Sequence, residues 1–198
     1  MNTPSCSIWE LLPDFPTDSN GRPWFISFGN QASVRGFWFV EGIQIPDWDE
    51  NELKGSCPNG KNLSRDFMLA ENGWPLFSSK LRSLIQDSFP NIIQFLPFKY
   101  ASLNTPVQRM YIGQLLVLVD GIDRENTKVD DDDWTPRANG TFRVQHPIVL
   151  KSRVVCDFPI MHVIGNPRPI YVRDDLKRLI EESDCSGARF RSVMLSQV

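Results

Sequence analysis

The chain reads as an α+β protein: a mostly antiparallel sheet carrying two similar helix–strand units. Three observations predict this. Trp74–Phe98 holds a short amphipathic stripe followed by an apolar, aromatic run, and the same grammar returns at Tyr171–Val193. At an offset of 95 and without a gap, Leu81, Leu84, Ile85, Ser88 and Phe95 fall on Leu176, Leu179, Ile180, Ser183 and Phe190, with Arg82 and Gln86 on Lys177 and Glu181. Between the copies, YIGQLLVLV at Tyr111–Val119 is apolar enough for a strand covered on both faces. Leucine and isoleucine at i, i+3 and i+4 share one helical face, so each copy reads as a helix leading into a strand. The match is that of an internal duplication, although a Leu-x-x-Leu-Ile stripe is also common helix grammar.

The 198 residues, 41% hydrophobic with 6 Trp, 13 Phe and 3 Tyr, are sufficient for a sizeable core. Continuous spacing without a linker predicts a single domain over 1–198, with 1–70 an aromatic-rich N-terminal section and 74–195 holding the two units. A net charge of -3 argues against a general electrostatic grip on nucleic acid or anionic lipid. The start, MNTPSCSIWELLPDF, has no basic region ahead of an apolar run, and no uncharged apolar stretch reaches 18 residues, so the expectation is a soluble, cytoplasmic protein. In that compartment Cys6, Cys57, Cys156 and Cys185, which have no Cys-x-x-Cys spacing, are expected as four free thiols.

Taken in order, the proline-rich arm 1–23 is irregular, with a short helical look at Ile8–Leu12. Trp24–Phe28 and Phe37–Val40 suit strands, since aromatic and β-branched side chains favour a pleated, half-buried surface. Residues 42–60 are acidic and turn-forming, and Asn62–Ala70 is a short helix or extended segment. Ser78 or Ser79 can cap the first helix, Pro90 ends it, Ile92–Phe95 starts a strand, and Pro97 limits that strand. Residues 123–140 read as a polar loop; Thr141–Val144, Ile148–Val155 and Met161–Ile164 follow as short strands. Asp174 and Asp175 suit the first turn of the second helix, and Gly187 precedes a closing strand at Ala188–Leu195. That last strand could pair across a two-fold axis or within the chain, so the oligomeric state stays open.

Candidate chemistry is sparse. There is no Gly-rich phosphate loop, no Gly-x-Ser-x-Gly and no His-Glu-x-x-His. The acidic run Asp130, Asp131, Asp132 and Asp133 fails the calcium-loop pattern, because the sixth and twelfth places hold Thr135 and Thr141. His146, Cys156 and His162 are poorly spaced for zinc, and Asp47 with Asp49 or Asp120 with Asp123 are ordinary surface acids. No catalytic, cofactor-binding or metal-binding residue is expected. Trp24, Phe25, Phe28, Phe37, Trp38 and Phe39 read as core. Trp48 and Trp134 stand in acidic loops, where an exposed ring would anchor a protein partner; with Asp130–Asp133 they are the candidate partner-binding residues.

PLFSSKLRSLIQ with NIIQFLPF, YIGQLLVLVDGIDREN, and RPIYVRDDLKRLIEES with GARFRSV together resemble the immunity-type proteins of bacterial polymorphic toxin and contact-dependent systems, over residues 74–195. The resemblance implies helix–strand units flanking a strand that ends in an aspartate near Asp120–Asp123. It also implies a non-enzymatic role in bacterial competition, including type VI secretion: binding and neutralising a cognate toxin or effector. The alternatives are a small enzyme with a pocket around His146 or His162, and a structural or regulatory module of a secretion-associated complex.

Overall fold

Ile8–Pro13, helical in local appearance, is a strand, β1. Six residues are too few to nucleate a helix unaided, and this segment has a ready partner: Ile8, Trp9, Glu10 and Leu11 pair antiparallel with Arg173, Val172, Tyr171 and Ile170. The computed structural model describes residues 6–15, 25–28, 42–50, 53–56, 65–102, 105–129, 134, 141–142 and 144–197. These residues form twelve strands and three helices, and most of the strand pairs are antiparallel.

The chain divides into two compact units, one built from Met1–Leu12, Val117–Leu179 and Phe190–Val198, the other from Pro13–Leu116 and Ile180–Arg189. The second is the more regular. Its sheet runs β2 (Lys54–Ser56), β5 (Ile93–Ser102), β6 (Thr105–Leu115), β4 (Pro75–Phe77), β3 (Phe67–Leu69). Within the segment read over Asn62–Ala70, Phe67–Leu69 is a strand, and residues 62–64 lie outside the described residues. The β5–β6 hairpin holds the sheet together, paired from Ile93↔Leu115 to Ser102↔Thr105. It continues through Pro97, which was expected to limit it. Its other neighbour, β2, meets β5 only from Lys99 onward, so the missing proline N–H interrupts no ladder on that side.

Helix α1, Ser79–Ser88, lies between β4 and β5 in sequence and is capped by Ser78, whose Oγ accepts from the Leu81 N–H at 3.2 Å. Leu81 and Ile85, the i and i+4 residues of the stripe, are fully buried. Edge-to-face ring contacts link Phe67, Phe77, Phe95 and Tyr111. Gly113 makes room for this layer: a Cβ there would stand 2.3 Å from the Phe77 ring. Alternate residues supply a separate core of Ile26, Phe28, Trp74, Leu76, Leu96, Phe98, Tyr100, Met110 and Ile112. Phe28 therefore joins the core as expected, whereas Trp24 and Phe37–Val40 lie outside the described residues.

The first unit carries a sheet ordered β11 (Ala188–Ser192), β1, β10 (Asn166–Arg173), β9 (Ile160–Val163), β7 (Leu118–Val119), and a parallel pair of β8 (Val149–Lys151) with β12 (Met194–Ser196). Its core includes Ile8, Val119, Ile122, Ile148, Leu150, Val155, Met161, Val163 and Tyr171. One expected boundary moves. The strand read over Ile148–Val155 stops at Lys151, and Ser152–Val155 closes into a short helix, α2, with Val155 buried. The helix of the second copy begins where expected, with Asp174 and Asp175 in its first turn: Tyr171 and Val172 remain in β10, held by β1 and β9, and α3 occupies Asp174–Glu182.

The expected pair of helix–strand units is present, and topology strengthens the likeness. In β4–α1–β5 the two strands flank β6; in β10–α3–β11 they flank β1. Leu176 and Ile180 are buried like Leu81 and Ile85. Each unit is thus a strand, helix and strand with one strand between.

The expectation of four free thiols is corrected at two positions: Cys6 and Cys156 form a disulfide. The register explains it. Ile8 pairs with Arg173, and the Arg173 guanidinium donates to the Cys156 carbonyl at 2.8 Å, which brings the two cysteines together across 150 residues of sequence. Cys185 is free, with a thiol pKa raised by burial and then by the Asp66 charge, so it is a poor nucleophile. Cys57 lies outside the described residues.

Candidate functional site

Within the first unit a cleft of about 270 Å³ is lined by Glu10, His146, Pro147, Ile148, Tyr171 and Arg191, with Ser192–Met194 completing its wall. The sheet puts the polar members in a row. Glu10 on β1 faces Tyr171 on β10 in direct register, and β11 brings Arg191 alongside from the other side. Arg191 donates through Nε and a terminal nitrogen to the same Glu10 oxygen, Oε2, at 3.0 and 2.5 Å. The Glu10 side chain is only 9% exposed, so this pairing offsets the cost of taking a carboxylate out of water.

Tyr171 is the unusual member. Its hydroxyl is buried and has no hydrogen-bond partner among the described residues. Burial, and after it the negative charge of Glu10, raises the phenol pKa, while Arg191 opposes this. The hydroxyl therefore stays neutral and retains a proton to donate. His146 sits at the mouth, exposed and joined to Pro147 by a cis peptide bond.

The sequence-derived candidates fall elsewhere. Trp48 is half-buried against the core of the second unit, and its indole N–H donates to the Pro97 carbonyl at 2.7 Å. Trp134 is half-buried on the core of the first unit, edge-on to Phe142 with ring centroids 5.2 Å apart, and the Arg124 guanidinium lies over its ring. Both rings are therefore partly packed against apolar residues, although their sequence surroundings suggest free loop anchors. Asp130, Asp131, Asp132 and Asp133 lie outside the described residues.

Of the two histidines, His146 lines the cleft, whereas His162 is buried in β9. Burial lowers the His162 pKa, opposed by a hydrogen bond between Nδ1 and the Pro169 carbonyl at 3.0 Å, so the ring is a neutral packing element. Asp120 and Asp123 also differ. Asp120 is exposed, 3.9 Å from Arg124. Asp123 is buried and accepts from the N–H groups of Glu125 and Asn126 and from the Asn126 side chain, closing the turn after β7. Those bonds, the Asn126 side chain first, hold its pKa below the usual carboxylate range. The aspartate implied by the resemblance is thus a turn-forming residue here.

Sequence reasoning missed Glu10, Tyr171 and Arg191. One signal was available: a glutamate inside the apolar run Ile8–Leu12, which burial obliges to find a cation.

The fold is that of an α+β protein with a small cleft in its first unit. The chain belongs to the Immunity protein family (Imm11), whose model matches residues 19–194. The match extends the resemblance, read over 74–195, into the N-terminal section. No curated protein matches the chain. Among the described residues, no helix is long and apolar enough to cross a membrane.

Proposed function

We propose that this chain is a non-enzymatic immunity protein that binds and neutralises a cognate bacterial toxin or secreted effector in the cytoplasm of the cell it protects. Family membership over residues 19–194 carries the reading. Such a protein needs a stable body and a complementary surface, and no chemistry of its own. In this reading the toxin is delivered during bacterial competition, by contact-dependent or type VI secretion.

The contact surface we favour contains Asp130–Asp133 and Trp134; Trp48, in the other unit, is a separate candidate anchor. Four consecutive acids raise the rate of encounter with a basic partner, and an aromatic ring beside them adds contact area at small entropic cost. A half-buried tryptophan suits this role, since its packed edge fixes the ring while the other edge stays available. The deciding experiment is growth rescue: co-expression with the product of the adjacent gene restores growth, and the two proteins co-purify. Growth arrest in the presence of abundant folded protein would overturn the reading. Replacing Asp130–Asp133 with Ser is expected to slow association at low salt and change it little at high salt; unchanged rates at both would remove these acids from the interface.

A further inference from the structure

Cys6 and Cys156 are bonded in the first unit, yet cytoplasmic thiols are kept reduced. The surrounding hydrogen bonds show how the two residues are brought together without the sulfur–sulfur bond. Cys6 stands two residues ahead of Ile8, which pairs with Arg173, and the Asp174 N–H donates to the Ser7 carbonyl at 3.1 Å. Cys156 is held from the other side. Its N–H donates to the Ser152 carbonyl at 3.1 Å, closing α2, and its carbonyl accepts from the Arg173 guanidinium at 2.8 Å. Asp175 takes the other two guanidinium nitrogens at 2.9 and 2.7 Å, and the Arg173 N–H donates to the Pro159 carbonyl at 2.9 Å. The corner at Arg173 and Asp174 therefore positions both cysteines, and none of these bonds passes through sulfur. Opening the bridge leaves two thiols facing each other.

Both cysteines are half-buried and sit at the margin of the core, which leaves part of each within reach of a small reagent. We propose that Cys6 and Cys156 are a reversible oxidation site: a dithiol in the reducing cytoplasm, converted to the bridge by a low-molecular-weight disulfide of the glutathione type. One cysteine loses its proton to solvent and attacks a sulfur of the small disulfide; that bond breaks, and one small thiolate leaves and is protonated. The second cysteine thiolate attacks the protein sulfur of the mixed disulfide, closes Cys6–Cys156 and expels the second small thiol. Two electrons pass from the cysteine pair to the small disulfide. Closure fastens the segment leading into β1 to the end of α2, so oxidation tightens the start of the strand that carries Glu10. The cytoplasmic setting comes from the proposed function, whereas the chemistry of the pair goes beyond it and is measured without a toxin.

The test equilibrates the full chain with reduced and oxidised glutathione at graded ratios, traps thiols by alkylation in acid and maps them by mass spectrometry. The folded chain is expected to close the bridge at an effective concentration about a hundredfold or more above that of the same chain in concentrated urea. Excess reduced glutathione is expected to return both thiols while the chain stays folded. Amide exchange over residues 8–11 is expected to be about tenfold slower in the oxidised than in the reduced form. Equal effective concentrations in the folded and unfolded chain would overturn the proposal. So would a bridge that glutathione opens only after unfolding, which would make it a permanent staple, or amide exchange at 8–11 that is the same in both forms.

Discussion

Asp66 and Ser186, 120 residues apart in sequence, are joined three times: Asp66 Oδ2 accepts from the Ser186 N–H at 2.8 Å and from its hydroxyl at 3.0 Å, and the Asp66 N–H donates to Ser186 Oγ at 3.2 Å. The other oxygen of Asp66 accepts from the Ser78 hydroxyl at 2.6 Å, and Ser78 caps α1. One carboxylate therefore secures both the start of α1 and the turn that follows α3.

Asp66→Ala is expected to lower stability by about 1–2 kcal/mol, a range discounted for partial exposure. Ser78→Ala should cost about 1 kcal/mol through the lost cap. Because the two share a bond, the double variant is expected to lose less than the sum, by about 0.5 kcal/mol or more. Urea denaturation of the four proteins reads this directly; strict additivity would show that the bond contributes nothing.

Gly113→Ala tests the ring layer over β6. The new methyl group would meet Phe77, which is fully buried and has little freedom to move. The expected cost is about 1–3 kcal/mol. Gly113→Ala combined with Phe77→Leu should recover part of it, measured as the shift in melting temperature relative to Phe77→Leu alone.

The Cys6–Cys156 bridge closes a long loop. Replacing both cysteines with serine is expected to cost about 2–4 kcal/mol. Thiol titration of the unfolded chain should rise by two groups on reduction, and the serine variant should show no such rise.

His162 makes stability depend on pH. Its folded pKa is lowered from the ordinary 6.5 by burial, so on acidification the unfolded chain takes up this proton first. The contribution is complete above 6.5, declines as pH falls below it, and levels off only beneath the folded value. Urea midpoints at about pH 7.5 and about pH 5.5 are expected to differ, with the lower pH less stable. His162→Asn keeps a donor for the Pro169 carbonyl and should flatten the difference. A slope equal to that of the unaltered protein would assign the effect to other groups.

The two helix–strand units were legible because their signal is local: Leu81 with Ile85, and Leu176 with Ile180, lie one turn apart on one face of their own helix and are buried. What was hidden depends on distant partners. β1 is a strand because of β10, and the disulfide exists because of that same register. The cleft was hidden for the same reason, since Glu10 and Arg191 are separated by 181 residues. The packing of Trp48 and Trp134 was not legible, because an acidic neighbourhood in sequence says little about which way a ring turns. Trp48 points toward Pro97, and Trp134 toward Phe142.

Neither unit is contiguous in the chain, and this bears on synthesis. The first takes its opening strand from residues 8–13 and sets it between strands at 166–173 and 188–192; the second needs residues 180–189. A ribosome delivers the N-terminal end first, so β1 must wait with its hydrophobic side chains uncovered until the strands at 166–173 and 188–192 have been made. A chain that stops before residue 180 leaves both units unfinished.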